Sequence, residues 1–374
     1  MLTVTNLSIR TKQTKETLVR SVSFSVKSGE ALGLIGESGS GKSMTSKCIM
    51  RLLNPRLFDL RGSVQWNGKE MLAVKLNELD GYRGKQISMI PQNPMTAFAP
   101  MLKLGKQMEL GFSLKGRRER TQFRGRLAAA LADVNLPDAE KIINSYPREL
   151  SGGTLQRVMI ALTILQRPEL IIADEITTAV DAASEYLILN ELEKLRRTGV
   201  SMIVVTHDFG VAARLCDRVA VMKAGEIQQI ASPEMLYNEP ANVFVAGFIG
   251  MPPMNFFRGR CQMRYEKVYV STAGMQIELP PDMADRVKKK SELGKDVIIG
   301  VRPEDMLIAD EGVESKVRVY EMLGSETYLY FDHDGGTVAV RTAADTPIRK
   351  GDRVHFNFRK DKIHLFDAQT EERI

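Results

Sequence analysis

Short apolar runs separated by amphipathic stretches dominate the first two thirds of the chain. Ala31 to Ile35 (ALGLI), Leu170 to Ala173 and Met202 to Val205 read as buried strands. Lys42 to Leu53 and much of Leu102 to Ile143, including Arg124 to Val134, carry helical periodicity. Such alternation predicts a parallel sheet with helices on its faces. Residues 1 to about 30 predict short strands, Asn67-Gly68 marks a hairpin, and Arg218 to Ile230 predicts another turning at Ala224-Gly225. Beyond Pro240 the period changes to two. Val297 to Val301, Lys316 to Tyr320, Thr327 to Phe331, Thr337 to Arg341 and Arg353 to Phe358 predict a small all-β barrel. The expected division is an α/β domain over residues 1–235 and a β domain over 236–374. No internal repeat or low-complexity segment interrupts this pattern.

With 374 residues, each of two domains is long enough for its own core. Hydrophobic content of 43% and charged content of 26% are those of a soluble globular protein. No apolar run approaches the roughly 18 residues of a membrane span, and the first ten residues alternate like a strand, unlike a signal peptide. Cys48, Cys216 and Cys261 are scattered without metal-ligand spacing, so reduced thiols are expected, two of them in the core, and no iron–sulfur centre. The net charge of +6 is spread among acidic residues and reads as solvated surface.

Candidate chemistry begins at Gly36-Glu37-Ser38-Gly39-Ser40-Gly41-Lys42-Ser43, which fits G-x-x-x-x-G-K-[ST]. Glycines let such a loop curl its N–H groups toward phosphate oxygens, between a strand and a helix N-terminus. Lys42 would supply charge to the β and γ phosphates, and the Ser43 hydroxyl would ligate Mg²⁺. Leu170 to Asp174 is an apolar strand ending in a carboxylate, followed at once by Glu175. Mg²⁺ prefers hard oxygen ligands, so Asp174 is the metal candidate and Glu175 the group that would polarise an attacking water. His207 closes a further apolar strand of the same sheet. A dinucleotide-binding reading fails on spacing, since the loop is not G-x-G-x-x-G.

Leu150-Ser151-Gly152-Gly153 opens a helix and forms a second anion-binding terminus. A second such loop is redundant within one subunit, and its simplest use is to close over a partner's nucleotide. With it the chain resembles the ATP-binding subunit of an ABC transporter. The motifs stand in that family's order over roughly the first 235 residues: the phosphate loop, Gln92, LSGG, Asp174 with Glu175, Ala179-Val180-Asp181, and His207. The resemblance implies a P-loop ATPase domain with a helical subdomain at about 93–150, followed by an OB-like barrel of the TOBE type. It implies ATP held by Gly36 to Ser43 and Met44, and in trans by Ser151, Gly152, Gly153 and Asp181. It also implies Mg²⁺ near Ser43, Gln92 and Asp174, with Glu175, His207 and Gln92 as the catalytic set.

The expected partners are a second ATPase subunit (self-pairing favoured over a paralogue), transmembrane permease subunits and, indirectly, an extracytoplasmic binding protein. The expected location is peripheral, at the cytoplasmic face of the membrane. Segments around Gln92, SYPRELSGGTLQRVMIAL and IIADEITTAVD resemble the peptide and nickel importers. Tyr237 to Phe257, GVRPEDM, EMLGSE and HLFD resemble the regulatory domain of sugar importers. Because residues 93–150 would meet the permease, a peptide or metal importer is favoured and a sugar importer is the alternative. A nucleic-acid or ribosome ATPase is disfavoured: long coiled coils, a second cassette and a basic aromatic stripe are all missing from the sequence. The chain departs from the family in Met44, in Ile176 and in having no aromatic residue before Phe24 to stack on adenine.

Overall fold

Two ten-residue strands open the chain, β1 (Leu2–Thr11) and β2 (Thr17–Val26), where the sequence predicts shorter ones. Their register shifts beside Asn6 and Ser21, both at positive φ, and those irregularities break the alternation that would mark long strands. Next come β3 (Ala31–Gly36), α1 (Lys42–Ile49), β4 (Phe58–Trp66), β5 (Lys69–Glu70) and β6 (Ile87–Ile90). The helix α1 stops four residues before the expected Leu53. Arg51 turns left-handed at φ 54°, and the N–H groups of Arg51 and Leu52 close onto the carbonyls of Cys48 and Lys47. That pair of bonds is a Schellman stop.

The helical segment consists of α2 (Leu104–Gly111), α3 (Arg117–Asp133), α4 (Ala139–Asn144) and the start of α5 (Gly152–Gln166). Then follow β7 (Leu170–Asp174), α6 (Ala182–Arg197), β8 (Ser201–Val205), α7 (Phe209–Leu215), β9 (Arg218–Lys223) and β10 (Glu226–Ala231). The six-stranded sheet has the order β10-β9-β3-β8-β7-β6, parallel except for β10. An antiparallel sheet, β2-β1-β4-β5, packs on it through a shared core of Leu2, Val4, Trp66, Leu32, Ile172 and Ile203. Cys48 lies in that core, and Cys216 is buried after α7.

The computed structural model describes residues 1–114, 116–178, 180–272, 274–334 and 336–374. It forms two compact units, Met1–Pro233 and Glu234–Ile374. The second contains α8 (Pro233–Asn238) from Glu234 onward and α9 (Val243–Phe248), then β11 (Asn255–Arg264), β12 (Lys267–Thr272), β13 (Met275–Glu278), α10 (Pro281–Lys289) and β14 (Asp296–Val301). It continues through β15 (Met306–Ala309), β16 (Val313–Leu323), β17 (Glu326–His333), β18 (Gly336–Ala343), β19 (Arg353–Phe358) and β20 (His364–Asp367). All five expected strands are present, and they join five others in two sheets, β13-β12-β11-β14-β20 and β15-β19-β16-β17-β18. One core joins both sheets, with Phe257, Ile299, Leu329, Phe331 and Phe356, and it also buries Cys261.

The GVRPEDM segment has a physical role there. Arg302, 2% exposed, lays its guanidinium over the Tyr237 ring at 4.0 Å and donates to the carbonyls of Ala246 and Tyr237. It therefore ties α8 and α9 to the strand that precedes it. Burial pushes the His364 imidazole down to about 4, with Arg373 and Arg302 adding repulsion, so this histidine is neutral near pH 7.

Candidate nucleotide site

The phosphate loop takes its shape from two glycines. Gly36 has φ 149°, and a Cβ there would lie 2.1 Å from the Met222 carbonyl. Gly41, at φ 97°, would put one 2.9 Å from the Leu18 carbonyl. Lys42 follows, 4% exposed, with Nζ donating to the carbonyls of Gly36 and Glu37 at 2.8 Å each. The loop is thus curled around its own ammonium group. Burial lowers the Lys42 pKa, opposed by the negative charges of Glu175 and Asp174. Glu37, Ser38 and Gly39 are exposed and Ser40 is buried. Met44 packs its side chain on the core.

Parallel register brings the remaining groups to the same sheet edge. Ile90 pairs with Ala173 and Asp174 with Val205, while Leu34 also pairs with Val205. Extending those strands by a residue or two places Gln92 beside Glu175, and Thr206-His207 between the phosphate loop and Asp174. The Ser43 hydroxyl donates to Asp174 Oδ1 at 2.8 Å, and Gln92 Nε2 donates to Glu175 Oε2 at 2.7 Å. Desolvation raises the Asp174 pKa, opposed by the Ser43 bond and by Lys47. Glu175 is left-handed at φ 48°, held by its N–H donating to the Val205 carbonyl at 2.8 Å. A non-glycine residue in that region carries about 1–3 kcal/mol of strain and is characteristic of functional turns. His207 is exposed just before Asp208, which caps α7 through the N–H groups of Gly210 and Val211.

The LSGG segment sits elsewhere. Among the described residues no hydrogen bond joins Ser151, Gly152, Gly153 or Asp181 to the phosphate loop. Ser151 caps α5 by accepting the Thr154 N–H at 3.2 Å, and Thr154 Oγ1 lies 2.8 Å from its hydroxyl. Asp181 caps α6, accepting from Ser184 N–H at 2.9 Å and Ser184 Oγ at 2.7 Å. Those bonds hold its carboxyl below the usual range. A Cβ on Gly153 would lie 2.9 Å from Ser184 Oγ, so the starts of α5 and α6 meet here. Ala179 lies outside the described residues.

Sequence reasoning missed three participants: Thr154, Ser184 and Gln156. The first two stand three residues beyond a capping Ser or Asp, a spacing visible in the sequence. Gln156 is 1% exposed, its Nε2 has no partner, and it lines a cleft of about 360 Å³ with Gln92, Pro94, Thr178 and Val180. Only folding reveals that position.

Comparison with known proteins supplies the family. The ABC transporter profile matches residues 19–178, a MalK OB fold domain matches 250–306, and a TOBE domain matches 299–366. An ABC transporter ATP-binding protein of Bacillus subtilis is 32% identical over 364 residues, 95% of each chain. The chain belongs to the ABC transporter ATP-binding family. The trehalose/maltose import ATP-binding protein MalK of Thermococcus litoralis is 34% identical over 95% of this chain and 94% of its own length. The oligopeptide transport ATP-binding protein OppD of Haemophilus influenzae is 40% identical over 68% of this chain and 79% of its own. A dimeric cassette, MJ0796, solved with ADP and Pi, superposes with a TM-score of 0.54 at 28% identity, over 62% of this chain and 99% of that one. An ABC cassette binds and hydrolyses ATP, and this one belongs with the importers. No described helix is long and apolar enough to cross a membrane.

No aromatic residue precedes Phe24 in the sequence, which bears on nucleotide choice. Strand β2 passes the loop with the Leu18 carbonyl against Gly41, and the Arg20 N–H donates to the Gly225 carbonyl. A base resting on this strand, against Leu18, Arg20 or an aliphatic stem, would forfeit aromatic stacking, which is worth about 1–3 kcal/mol per base. ATP and GTP are therefore expected to be hydrolysed at comparable kcat/KM in a coupled phosphate-release assay. Strong rejection of GTP would show that another group reads the base.

Proposed function

We propose that the chain is the Mg²⁺-dependent ATPase subunit of a peptide- or nickel-type importer. It works as a pair of copies on the cytoplasmic face of the membrane, docked on transmembrane permease subunits that a separate extracytoplasmic binding protein supplies. The observation that carries the reading is the convergence of Lys42, Ser43, Asp174, Glu175 and Gln92 on one sheet edge, through the bonds Ser43–Asp174 and Gln92–Glu175.

The donor set fits Mg²⁺. Ser43 Oγ and Asp174 Oδ1 are hard oxygens 2.8 Å apart, and this ion needs only one or two protein oxygens beside phosphate and water. Among the described residues no cage of three or more His, Cys, Asp or Glu competes for it. Bound by Ser43 and Asp174, with Gln92 within reach, the ion would neutralise phosphate charge. Lys42 exchanges the carbonyls of Gly36 and Glu37 for β- and γ-phosphate oxygens. Glu175, once the Gln92 amide turns away, takes the proton from a water whose oxygen attacks the γ-phosphorus. The bond to the β–γ bridging oxygen breaks, and the electrons leave with ADP. His207 holds the γ-phosphate from the neighbouring strand end. Ser151 and the Gly152 and Gly153 amides close on the nucleotide of the opposing copy, with Asp181 beside them. Phosphoryl transfer needs positioning and charge neutralisation, which these groups supply.

Solute class follows from the permease contact. Met95, Met101, Leu102 and Leu110 are exposed on and after the Gln92 loop, a surface suited to an apolar partner segment. Oligopeptide relatives match at 40% identity over 257 and 241 residues, about two thirds of the chain. A sugar importer remains the second reading, favoured by the OB and TOBE matches and the full-length likeness to MalK. Co-expression with peptide-type or sugar-type permeases in cells lacking their own ATPase decides between them. Restored peptide or nickel uptake is expected, and restored maltose uptake alone would transfer the protein to the sugar class.

A further inference from the structure

The Ser151 hydroxyl is the group that would meet a partner-held phosphate, and its usefulness depends on which way its hydrogen points. A hydroxyl offers one donor and two acceptor lone pairs. One lone pair already takes the Thr154 N–H at 3.2 Å. The Thr154 hydroxyl lies 2.8 Å away, and that contact has two polarities. If Ser151 donated, its only hydrogen would be spent inside the turn. The exposed oxygen would then face an incoming anion with a lone pair, which repels it. If Thr154 donates, both lone pairs of Ser151 are filled and its hydrogen points outward.

We infer that Thr154 is a positioning residue: its hydroxyl donates to Ser151 and turns the exposed Ser151 O–H into a donor aimed at the γ-phosphate of the opposing copy. The inference rests on the in-trans role given to Ser151 above. Hydrogen bonds to charged groups are worth more than neutral ones, so an arriving phosphate favours the same polarity. The backbone bond that caps α5 is independent of the Thr154 side chain, so removing the hydroxyl leaves the helix start intact.

The test uses the full chain carrying Glu175→Gln, with MgATP-driven dimerisation followed by sedimentation velocity. Thr154→Val keeps shape and removes the donor, and it is expected to raise the ATP concentration needed for half-dimerisation by about 3–10-fold. Thr154→Ser restores the donor and is expected to match the parent. In a Ser151→Ala background Thr154→Val is expected to add nothing, because its only target is gone. A parental Thr154→Val response beside a weakened Ser151→Ala overturns the inference and spares the in-trans reading. An effect of Thr154→Val that persists without Ser151 also overturns it. Should Ser151→Ala itself dimerise like the parent, the in-trans reading falls instead. Monomer ATP affinity serves as the control that a structural lesion would move; should Thr154→Val misfold, Thr154→Ala replaces it under the same criteria.

Discussion

Replacing Glu175 by glutamine is expected to slow ATP turnover by roughly 10²–10⁴-fold, the usual contribution of a positioned general base, while ATP still binds. The carboxylate stands at the sheet edge with one oxygen accepting from Gln92, and its left-handed backbone is pinned to the Val205 carbonyl. Glutamine fills the same space and keeps that backbone bond but takes no proton from water. Uncleaved MgATP should then accumulate between two copies, so gel filtration with MgATP should show a dimer that the parent does not retain. Turnover at the parental rate would remove Glu175 from the chemistry.

Lys42→Ala is expected to act one step earlier, on binding. The ammonium is buried among the loop's own carbonyls, and its desolvation has been met before nucleotide arrives. Truncating one member of a buried, hydrogen-bonded charge pair costs about 2–5 kcal/mol, which is roughly 30- to 4,000-fold in affinity. The substitution also leaves the Gly36 and Glu37 carbonyls without their donor, so part of the loss would come from a loosened loop. Titration with a fluorescent ATP analogue should show near-complete loss at concentrations that saturate the parent. Equal affinity would mean that the backbone amides alone hold the phosphates.

The site was legible in the sequence to the extent that its parts are contiguous. A phosphate loop is written within eight adjacent residues, and β7 announces itself because a strand buried on both faces must be apolar throughout before Asp174. The groups that read poorly are those whose partners are distant or local in an unremarked way. Gln156 looks like any polar helix residue until folding buries it, and Ser184 matters because α5 arrives beside it. Asp181, expected to act in trans, also spends its carboxylate on capping α6. In the second unit, β11 carries three arginines, Arg258, Arg260 and Arg264, on a strand whose other face is buried, which hides its period from a hydrophobicity pattern. The helix α1 ends early because Arg51 turns left-handed and the backbone closes onto Cys48 and Lys47, while the Arg51 guanidinium is tied to the carbonyls of Met71 and Leu72.

The meeting of Gly153 with Ser184 has a mechanical consequence. The start of α5, which the in-trans reading gives to the opposing nucleotide, and the start of α6, a few residues after Glu175, lie against each other within a single copy. On that reading, a displacement of α5 would be passed by direct contact to the segment that follows Glu175. Any residue larger than glycine at position 153 would force the Ser184 side chain at the start of α6 to shift.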